Sequence, residues 1–323
     1  MEKTFLVTGA MGCIGAWVLK HLVEKGERAV AFDLSEDRHR LDWLMTREEQ
    51  EAAEQAPIVF VKGDLTDTAQ VKEVFRAQGV TNVVHLAALQ IPFCRANPVV
   101  GAEVNVTGMV NVFEAAKEAG VQHVTYASSV AVYGPATDYP PGPVAHEAPH
   151  APRTLYGVYK VANEGTARVY WQDHGISSVC LRPFTVYGVG RDQGLTSDPT
   201  KAMWAAVRGE PFEIGFGGRM EFHLASDVAL QFIDAAEMPD EARRGAYAFN
   251  LGTPPASVDE VIEIIRTVRP GAQITRKNTI LPFPECFDGT ALRAHVGRVY
   301  ETPLAEGIRA TMEHLEKIAP TKN

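Results

Sequence analysis

The sequence predicts an α/β fold, namely a Rossmann-type, doubly wound parallel sheet with a smaller C-terminal α/β lobe. Three observations lead to this prediction. Short apolar runs alternate with helical patterns, a glycine-rich turn follows the first run, and a tyrosine lies four residues before a lysine in a later helical stretch. Parallel strands are buried on both faces and joined by helical crossovers, so they read as short continuous apolar runs between helices.

The first half of the chain alternates predicted strands and helices. The runs KTFLVTG, RAVAFD, PIVFVKGD and NVVHLAA have the length of buried strands, whereas AWVLKHLVEKG and TAQVKEVFRAQG carry apolar residues at helical period. A helix over 98–119, the strand HVTYASS, a helix over 153–174 and the strand SVCLRPF continue the pattern. We therefore assign residues 1–186 to the sheet domain, and the charged run at 46–56 to a solvated helix face.

Beyond residue 186 the pattern loosens into short strands and isolated helices, separated by stretches such as GEPFEIGFGG, LGTPP and ILPFPE. We predict that 187–323 forms a smaller substrate-binding lobe, interleaved with the last strands of the sheet. The proline-rich segment 135–152 must be a surface loop, because proline lacks a backbone donor. It directly precedes the helix over 153–174, where it would line or cover a substrate pocket.

Composition narrows the class of protein. Hydrophobic residues make up 46% and charged residues 22% of the 323 residues, as in ordinary globular proteins. The net charge of -9 argues against a nucleic-acid or membrane-surface partner, and no run approaches the ~18 apolar residues of a membrane span. No signal peptide is evident, so we expect a cytoplasmic protein. The four cysteines are far apart, which predicts neither a disulfide framework nor a metal site.

The turn GAMGCIG, residues 9–15, predicts a dinucleotide site. It follows a strand and opens a helix, and its glycines permit a tight reversal, a close approach of pyrophosphate and close helix packing. The amides at the helix N-terminus then face the anion. The cofactor contacts predicted in this turn are Gly9, Gly12, Cys13, Ile14 and Gly15.

Asp33 ends the second predicted strand, in AFD. An acid in this position accepts hydrogen bonds from the adenosine ribose hydroxyls and repels the 2′-phosphate of NADP. No arginine directly follows in DLSED, so the sequence favours NAD as the cofactor. An acid that merely ends a strand is the simpler alternative.

The stretch YGVYK places Tyr156 and Lys160 on one face of a helix, because residues four apart lie one above the other. Tyr159 points elsewhere and is expected to pack. A phenol with a usual pKa of about 10 is a poor base at neutral pH, but a nearby ammonium favours its ionised form. The pair therefore suggests acid/base chemistry, although an amphipathic helix with a snorkelling lysine has the same pattern.

These motifs resemble those of the extended short-chain dehydrogenase/reductase superfamily, specifically the NAD-dependent epimerase/dehydratase family. The resemblance covers nearly the whole chain, through GAMGCIG, GDL, HLAA, NVTG, YASSVAVYG, YGVYK, LRPFTVYG and LAEGIRATMEHL. It implies NAD as the cofactor and a homodimer that pairs two long helices from each subunit.

The resemblance also implies site residues. Tyr156 would be the acid/base, Lys160 its electrostatic tuner and an anchor for the nicotinamide ribose, and Ser129 the group that holds the substrate oxygen. Tyr156 and Lys160 are thereby cofactor contacts as well. Asn105 is expected to be a cofactor-side or helix-anchoring residue. The remaining implied cofactor contacts are Asp64, Leu65, Leu86, Ala87, Ala88, Ser128 and Pro183.

Departures from the family pattern concern the substrate. Ser129 is followed by no acid pair, so water elimination is not expected. Thr185 stands where nucleotide-sugar epimerases usually carry asparagine, and Met220 where they carry a diphosphate-binding arginine, while Arg219 would point to the opposite side of its strand. The predicted substrate is therefore a free sugar, a sugar acid or lactone, or another polyhydroxylated secondary alcohol. Its predicted contacts are Gln90, Ser129, Thr185 and Arg191, where the arginine would clamp a carboxylate or hydroxyls.

Three functions follow. The leading one is an NAD-dependent oxidoreductase that interconverts a secondary alcohol and a ketone or lactone in a small sugar-like substrate. The second is a UDP-sugar epimerase with tightly bound NAD, which uses the same residues. The third is a non-catalytic nucleotide-binding protein, disfavoured because Ser129, Tyr156 and Lys160 are all present.

Overall fold

The computed structural model describes residues 3–46, 48–49 and 58–319. Its core is a seven-stranded sheet in the order β11-β6-β5-β4-β1-β2-β3, in which every neighbouring pair is parallel. The strands are β1 (Thr4–Thr8), β2 (Arg28–Asp33), β3 (Ile58–Lys62), β4 (Asn82–His85), β5 (His123–Ala127), β6 (Ser177–Arg182) and β11 (Ala246–Asn250). The chain runs outward from β1 first to one edge and then to the other, so the predicted doubly wound sheet is confirmed, and its switch point lies between β1 and β4.

Helices cover both faces of this sheet. One face packs against α1 and α9, and the other against α3, α6 and α7. The helices of the described residues are α1 (Cys13–Lys25), α2 (His39–Leu44), α3 (Thr68–Gln78), α4 (Ile91–Ala96), α5 (Pro98–Ala102), α6 (Gly108–Ala119), α7 (Leu155–His174), α8 (Asp198–Arg208), α9 (Ala225–Ala236), α10 (Val258–Val268), α11 (Thr290–Val296) and α12 (Leu304–Ile318). Most of the charged run predicted at 46–56 lies outside the described residues.

The start of α7 is fixed by its cap. The side chain of Thr154 accepts a hydrogen bond from the amide of Gly157 at 3.0 Å, satisfying one of the donors that a helix N-terminus leaves free. The helix ends at Gly175, which adopts a left-handed conformation. This start places Tyr156 in the first turn, above the ends of the neighbouring strands.

The predicted helix over 98–119 is not uniform. After α5 the chain makes a π-helical turn, Glu103–Thr107, before α6 begins. The wide turn directs the side chain of Asn105 inward, where it bonds both backbone groups of Leu89, at 2.7 and 2.9 Å. Hydrophobic periodicity does not register one wide turn, so no sequence pattern indicated it.

The chain from residue 185 onward contributes β11 to the main sheet and also forms three two-stranded pairs, β7 with β10, β9 with β12 and β8 with β13. Those strands are β7 (Thr185–Tyr187), β8 (Phe212–Ile214), β9 (Arg219–Met220), β10 (Phe222–Leu224), β12 (Ala256–Ser257) and β13 (Ile274–Arg276). Among the residues that the structure describes, no helix has the length and hydropathy that a membrane span requires.

The proline-rich segment 135–152 does not line the pocket beside Tyr156, contrary to our expectation. The hydroxyl of Tyr139 accepts a hydrogen bond from the amide of Gly134 and donates to the carbonyl of Pro149, which folds the segment on itself. Residues 146–150 instead border a separate polar cavity against α7 and β11.

Candidate active site

An elongated cleft of about 580 Å³ lies beyond the carboxyl ends of β1, β2 and β4. This is where open parallel sheets bind ligands. The turn 9–15, Asp33, the loop 86–90 and residues 190–193 from the far half of the chain line it together. Every cofactor contact predicted in the turn lines this cleft, as do Asp33, Asp64, Leu65, Leu86, Ala87 and Ala88.

The glycine turn fits a pyrophosphate because it leaves no room for side chains. Gly9 has a φ of +67°, and a Cβ there would lie 2.7 Å from the backbone of Ala87. A Cβ on Gly15 would lie 2.2 Å from the carbonyl oxygen of Gly9. The N-cap residue of α1, Gly12, provides no side-chain cap, so the first amides of the helix are open to an anion in the cleft.

Both carboxylate oxygens of Asp33 are oriented by backbone amides. Oδ2 accepts from Met11 and Oδ1 accepts from Ser35, each at 2.9 Å. Each oxygen has a further lone pair, so the carboxylate is held rigidly at the cleft and still has capacity for ribose hydroxyls.

We expect Asp33→Asn to lower the preference for NAD over NADP at least tenfold, because the neutral side chain removes the repulsion of a 2′-phosphate. The measurement is the ratio of the two dissociation constants, obtained by fluorescence titration. Asp173→Asn, at an exposed position of α7, is the matched control and should leave the ratio unchanged. Unchanged selectivity in Asp33→Asn would contradict the assignment.

A smaller cavity of about 160 Å³ adjoins the cleft, and Tyr156, Lys160 and Ser129 line it together. Ser128, Pro183, Gln90 and Arg191 also line this cavity, and the last two border the cleft as well. The two cavities therefore adjoin, and the predicted catalytic side chains line the smaller one.

Burial sets the protonation of the tyrosine–lysine pair. It raises the pKa of Tyr156 to about 12, opposed by the hydrogen bond with Ser129 and the positive charge of Arg191. Burial also lowers the pKa of Lys160 to about 8. The Lys160 Nζ donates to the carbonyl of Ala127 at 2.6 Å and lies 5.5 Å from the centre of the Tyr156 ring. Ser129 and Arg191 therefore favour the phenolate here, and the role of Lys160 as the electrostatic tuner of Tyr156 stays a prediction.

The side chains of the adjacent residues Ser128 and Ser129 have different hydrogen-bond partners. The Ser129 Oγ accepts from the amide of Ala131 at the mouth of a short 3₁₀ turn and reaches Tyr156, whereas the Ser128 Oγ donates to Glu164 at 2.6 Å. Glu164 is buried and paired with Arg182, at 2.5 and 2.8 Å. Burial alone would raise the pKa of Glu164, but the hydrogen bonds from Arg182 leave it lowered. This pair fixes α7 against β6.

Asn105 and Thr185 line neither cavity. Asn105 is buried and anchors the loop 86–90 through Leu89, which fits the helix-anchoring half of its predicted role. Thr185 is fully buried, and its hydroxyl donates to the sulfur of Met220 at 3.2 Å. The substrate contact predicted for Thr185 is therefore not a direct one in this structure.

Met220, which stands where nucleotide-sugar epimerases carry a diphosphate-binding arginine, is uncharged and 2% exposed. Arg219 points away, as predicted, with its guanidinium 3.1 Å from Glu260 and 2.7 Å from the carbonyl of Pro255. Tyr159 packs as expected, with its hydroxyl donating to the carbonyl of Pro98.

Sequence reasoning missed several lining residues. Phe184 and Phe283 form an apolar wall of the small cavity, and Arg40 and Asp192 border the cleft. Phe283 and Asp192 come from loops that carry no periodic signal, so only the folded chain brings them to the site. Phe184 lies within LRPFTVYG, where its position between two strands was the available signal.

The letters HEAPH at 146–150 match the zinc motif H-E-x-x-H, a match that our sequence-based prediction of no metal overlooked. The motif requires a helix so that both histidines share a face, and this segment is not helical. His150 instead faces Glu164 and Arg182. Within the described ranges, no three His, Cys, Asp or Glu side chains are grouped to hold a metal.

Comparison with known proteins gives consistent similarities over the whole chain. The model of the NAD-dependent epimerase/dehydratase family matches residues 5–252. UDP-glucuronate 4-epimerase 3 of Arabidopsis thaliana is 30% identical over 308 residues, which cover 90% of this chain and 70% of that protein.

Two solved structures are also similar. The NAD complex of UDP-glucose 4-epimerase from Thermus thermophilus has a TM-score of 0.81 and 26% identity, with 98% of this chain and 100% of that chain covered. A partial-consensus L-threonine 3-dehydrogenase has a TM-score of 0.83 and 25% identity, with 97% and 99% covered.

Proposed function

The chain belongs to the NAD-dependent epimerase/dehydratase family, and from this premise we propose that it interconverts a secondary alcohol and a ketone, or a lactone, in a small polyhydroxylated, sugar-like substrate. The observation that carries the proposal is the size of the cavity beside Tyr156, about 160 Å³. An engineered cavity of about 150 Å³ admits benzene. A nucleotide sugar would extend beyond this cavity, and the place of its diphosphate arginine is taken by the buried Met220.

NAD supplies the hydride acceptor when it is bound. The chain supplies the proton chemistry: with its pKa raised to about 12, Tyr156 is protonated at neutral pH and ready to give its phenolic proton to a ketone oxygen. In the opposite direction it must first ionise, and the Ser129 hydrogen bond and the Arg191 charge reduce that cost. Ser129 would hold the substrate oxygen beside the phenol.

The substrate cavity has two unlike walls. Gln90, Ser129 and Thr196 offer polar groups, whereas Phe184 and Phe283 present aromatic surface. We propose that hydroxyl groups of the substrate face the first wall and its carbon skeleton packs on the second.

Arg191 is the cation of the polar wall. Its Nε is buried and makes no hydrogen bond in the described part of the chain, and its Nη2 has one long contact, 3.4 Å, with Thr196. A buried donor without a partner is costly, so we propose that a substrate carboxylate or hydroxyl pair satisfies it.

We expect Arg191→Gln to raise the KM for sugar acids by about 10²-fold and to leave the KM for neutral sugars nearly unchanged, because charge-assisted hydrogen bonds contribute roughly 1.5–3 kcal/mol. Initial-rate kinetics on aldonates, uronates and the matching neutral sugars provide the measurement. Arg309→Gln, on the exposed face of α12, is the control. Equal loss for charged and neutral substrates would count against a carboxylate clamp.

A UDP-sugar epimerase is the second candidate, since the Arabidopsis thaliana relative is a UDP-glucuronate 4-epimerase. It requires the cofactor to be regenerated in place at each turnover, whereas a dehydrogenase releases NADH. The two candidates thus differ in a net product that absorbance records.

The test is an NAD reduction assay over free sugars, aldonates, uronates and UDP-sugars. NADH formation with a free sugar or sugar acid supports the proposal and identifies the substrate class. If no substrate yields NADH and product analysis shows a UDP-sugar with one inverted stereocentre, the proposal is overturned in favour of the epimerase.

We propose further that residues 1–186 bind NAD and 187–323 form the substrate lobe, since Arg191, Thr196 and Phe283 all lie beyond 186. We propose a homodimer because apolar side chains are exposed on α4, α5 and α7, namely Phe93, Val99, Val100, Leu155, Val158 and Val169. Sedimentation equilibrium would test it. Four free thiols support a cytoplasmic location, which cell fractionation would test.

A further inference from the structure

Residues 189–193, which we call the strap, run from β7 toward α8, and residues 190–193 line the cofactor cleft. Their backbone is tied to the opposite half of the molecule. The indole Nε1 of Trp17 donates to the carbonyl of Val189 at 2.9 Å, and the Arg40 Nε donates to the carbonyl of Gly190 at 3.1 Å. The strap is therefore anchored to α1 and to Arg40, beside the glycine turn.

Asp192 makes the charged part of this bridge. Its Oδ1 accepts from the Nε and Nη2 of Arg40, at 3.0 and 2.6 Å, and its Oδ2 lies 2.9 Å from the Nε2 of His39. Arg40 also donates from Nη1 to the carbonyl of Met11 in the glycine turn, at 2.7 Å. One guanidinium thus joins the strap to the glycine turn.

The pair is shielded from water, which makes it stronger than an ordinary surface ion pair. The side chains of Arg40 and Asp192 are 13% and 24% exposed, and two guanidinium nitrogens contact one carboxylate oxygen. Fully exposed pairs contribute little, because water competes for both partners. Partial burial and a further contact, between His39 and the other carboxylate oxygen, remove part of that competition.

We propose that Asp192 is a latch that holds the strap over bound NAD and sets the rate at which the cofactor leaves. A dinucleotide lying between the glycine turn and residues 190–193 can escape only after the strap lifts, which breaks the contacts of Asp192 and the hydrogen bond from Trp17. Asp192 acts through Arg40 and His39 and is a positioning residue in this role.

The latch also couples the two cavities. Arg191 belongs to the strap and lines the substrate cavity, so lifting the strap removes this cation from the substrate side while it opens the cofactor side. Cofactor exchange is therefore possible only while the substrate pocket is open. A substrate bound to Arg191 keeps the strap down and retains the cofactor.

The test measures NADH dissociation from the full-length protein by stopped-flow fluorescence, with excess NAD as the displacing ligand. In Asp192→Ala we expect the dissociation rate constant to rise at least tenfold, measured at a temperature at which circular dichroism shows the variant to be folded. Trp17→Phe removes an independent contact to the same strap and should accelerate release in the same direction. Trp17 does not line the cleft, so its effect cannot come from a lost cofactor contact.

Asp259→Ala is the matched control. It breaks a comparable contact, from Arg276 to both carboxylate oxygens at 2.9 and 2.8 Å, away from the cleft, and should leave release unchanged. Unchanged dissociation in both Asp192→Ala and Trp17→Phe would overturn the latch. If Asp192→Ala does not fold, Trp17→Phe decides alone. No substrate enters the assay, so its outcome is independent of the proposed reaction.

Discussion

Replacing Tyr156 with phenylalanine is expected to lower kcat by about 10²–10⁴-fold, the usual contribution of a positioned acid or base. The variant keeps the ring in the cavity wall and removes only the hydroxyl that hydrogen-bonds Ser129. NAD affinity should stay nearly unchanged, because the cleft is formed chiefly by the glycine turn, Asp33 and the loop 86–90. Single-turnover kinetics and a cofactor titration on the same preparation separate the two effects.

Tyr159→Phe is the natural control for this substitution. Tyr159 lies on the same helix, but its hydroxyl donates to the carbonyl of Pro98 and it lines neither cavity. Normal turnover in Tyr159→Phe beside the loss in Tyr156→Phe would locate the chemistry in one hydroxyl. A parallel loss of NAD affinity in Tyr156→Phe would instead mean that the tyrosine holds the cofactor and that its acid/base role is misassigned.

The features that were predicted correctly are those that depend on a pattern of residues within one short segment. Buried parallel strands are apolar throughout, so the positions of β1 to β6 along the chain could be predicted from the apolar runs and the gaps between them. The separation of Tyr156 and Lys160 by one helical turn predicted their common face, and the glycines of the turn 9–15 are there because backbone atoms approach too closely for a Cβ. In each case one short segment contains both the cause and the structural result.

The parts that could not be predicted depend on contacts between distant segments. Asp192 reaches Arg40 across the cleft, and Phe283 reaches Phe184 from a loop near the end of the chain. Thr185 contacts Met220 in a region where β7 pairs with β10, and no local sequence pattern predicts that pairing. The burial of a side chain cannot be read from the sequence either, and burial shifts the pKa values of Tyr156 and Lys160.

Lys160→Met is expected to abolish turnover and at the same time stabilise the fold at neutral pH. Lys160 is 3% exposed, and burial lowers its pKa from the usual 10.5 to about 8. At 1.36 kcal/mol per unit this shift corresponds to a cost of about 3 kcal/mol for holding the ammonium inside at pH 7. Methionine has a similar length and no charge. The lost hydrogen bond to Ala127 offsets about 1 kcal/mol, so the free energy of unfolding should rise by about 2 kcal/mol.

The pH dependence identifies the cause. Between pH 8 and 10.5 the unfolded chain keeps the Lys160 proton while the folded protein has lost it, so wild-type stability should rise with pH across this window. The variant lacks that rise, and its advantage should vanish near pH 10. Urea unfolding at several pH values measures this, with Lys317→Met on the exposed face of α12 as the control. A variant less stable than wild type at pH 7 would mean that the ammonium is well solvated or paired, and burial would then not explain its role beside Tyr156.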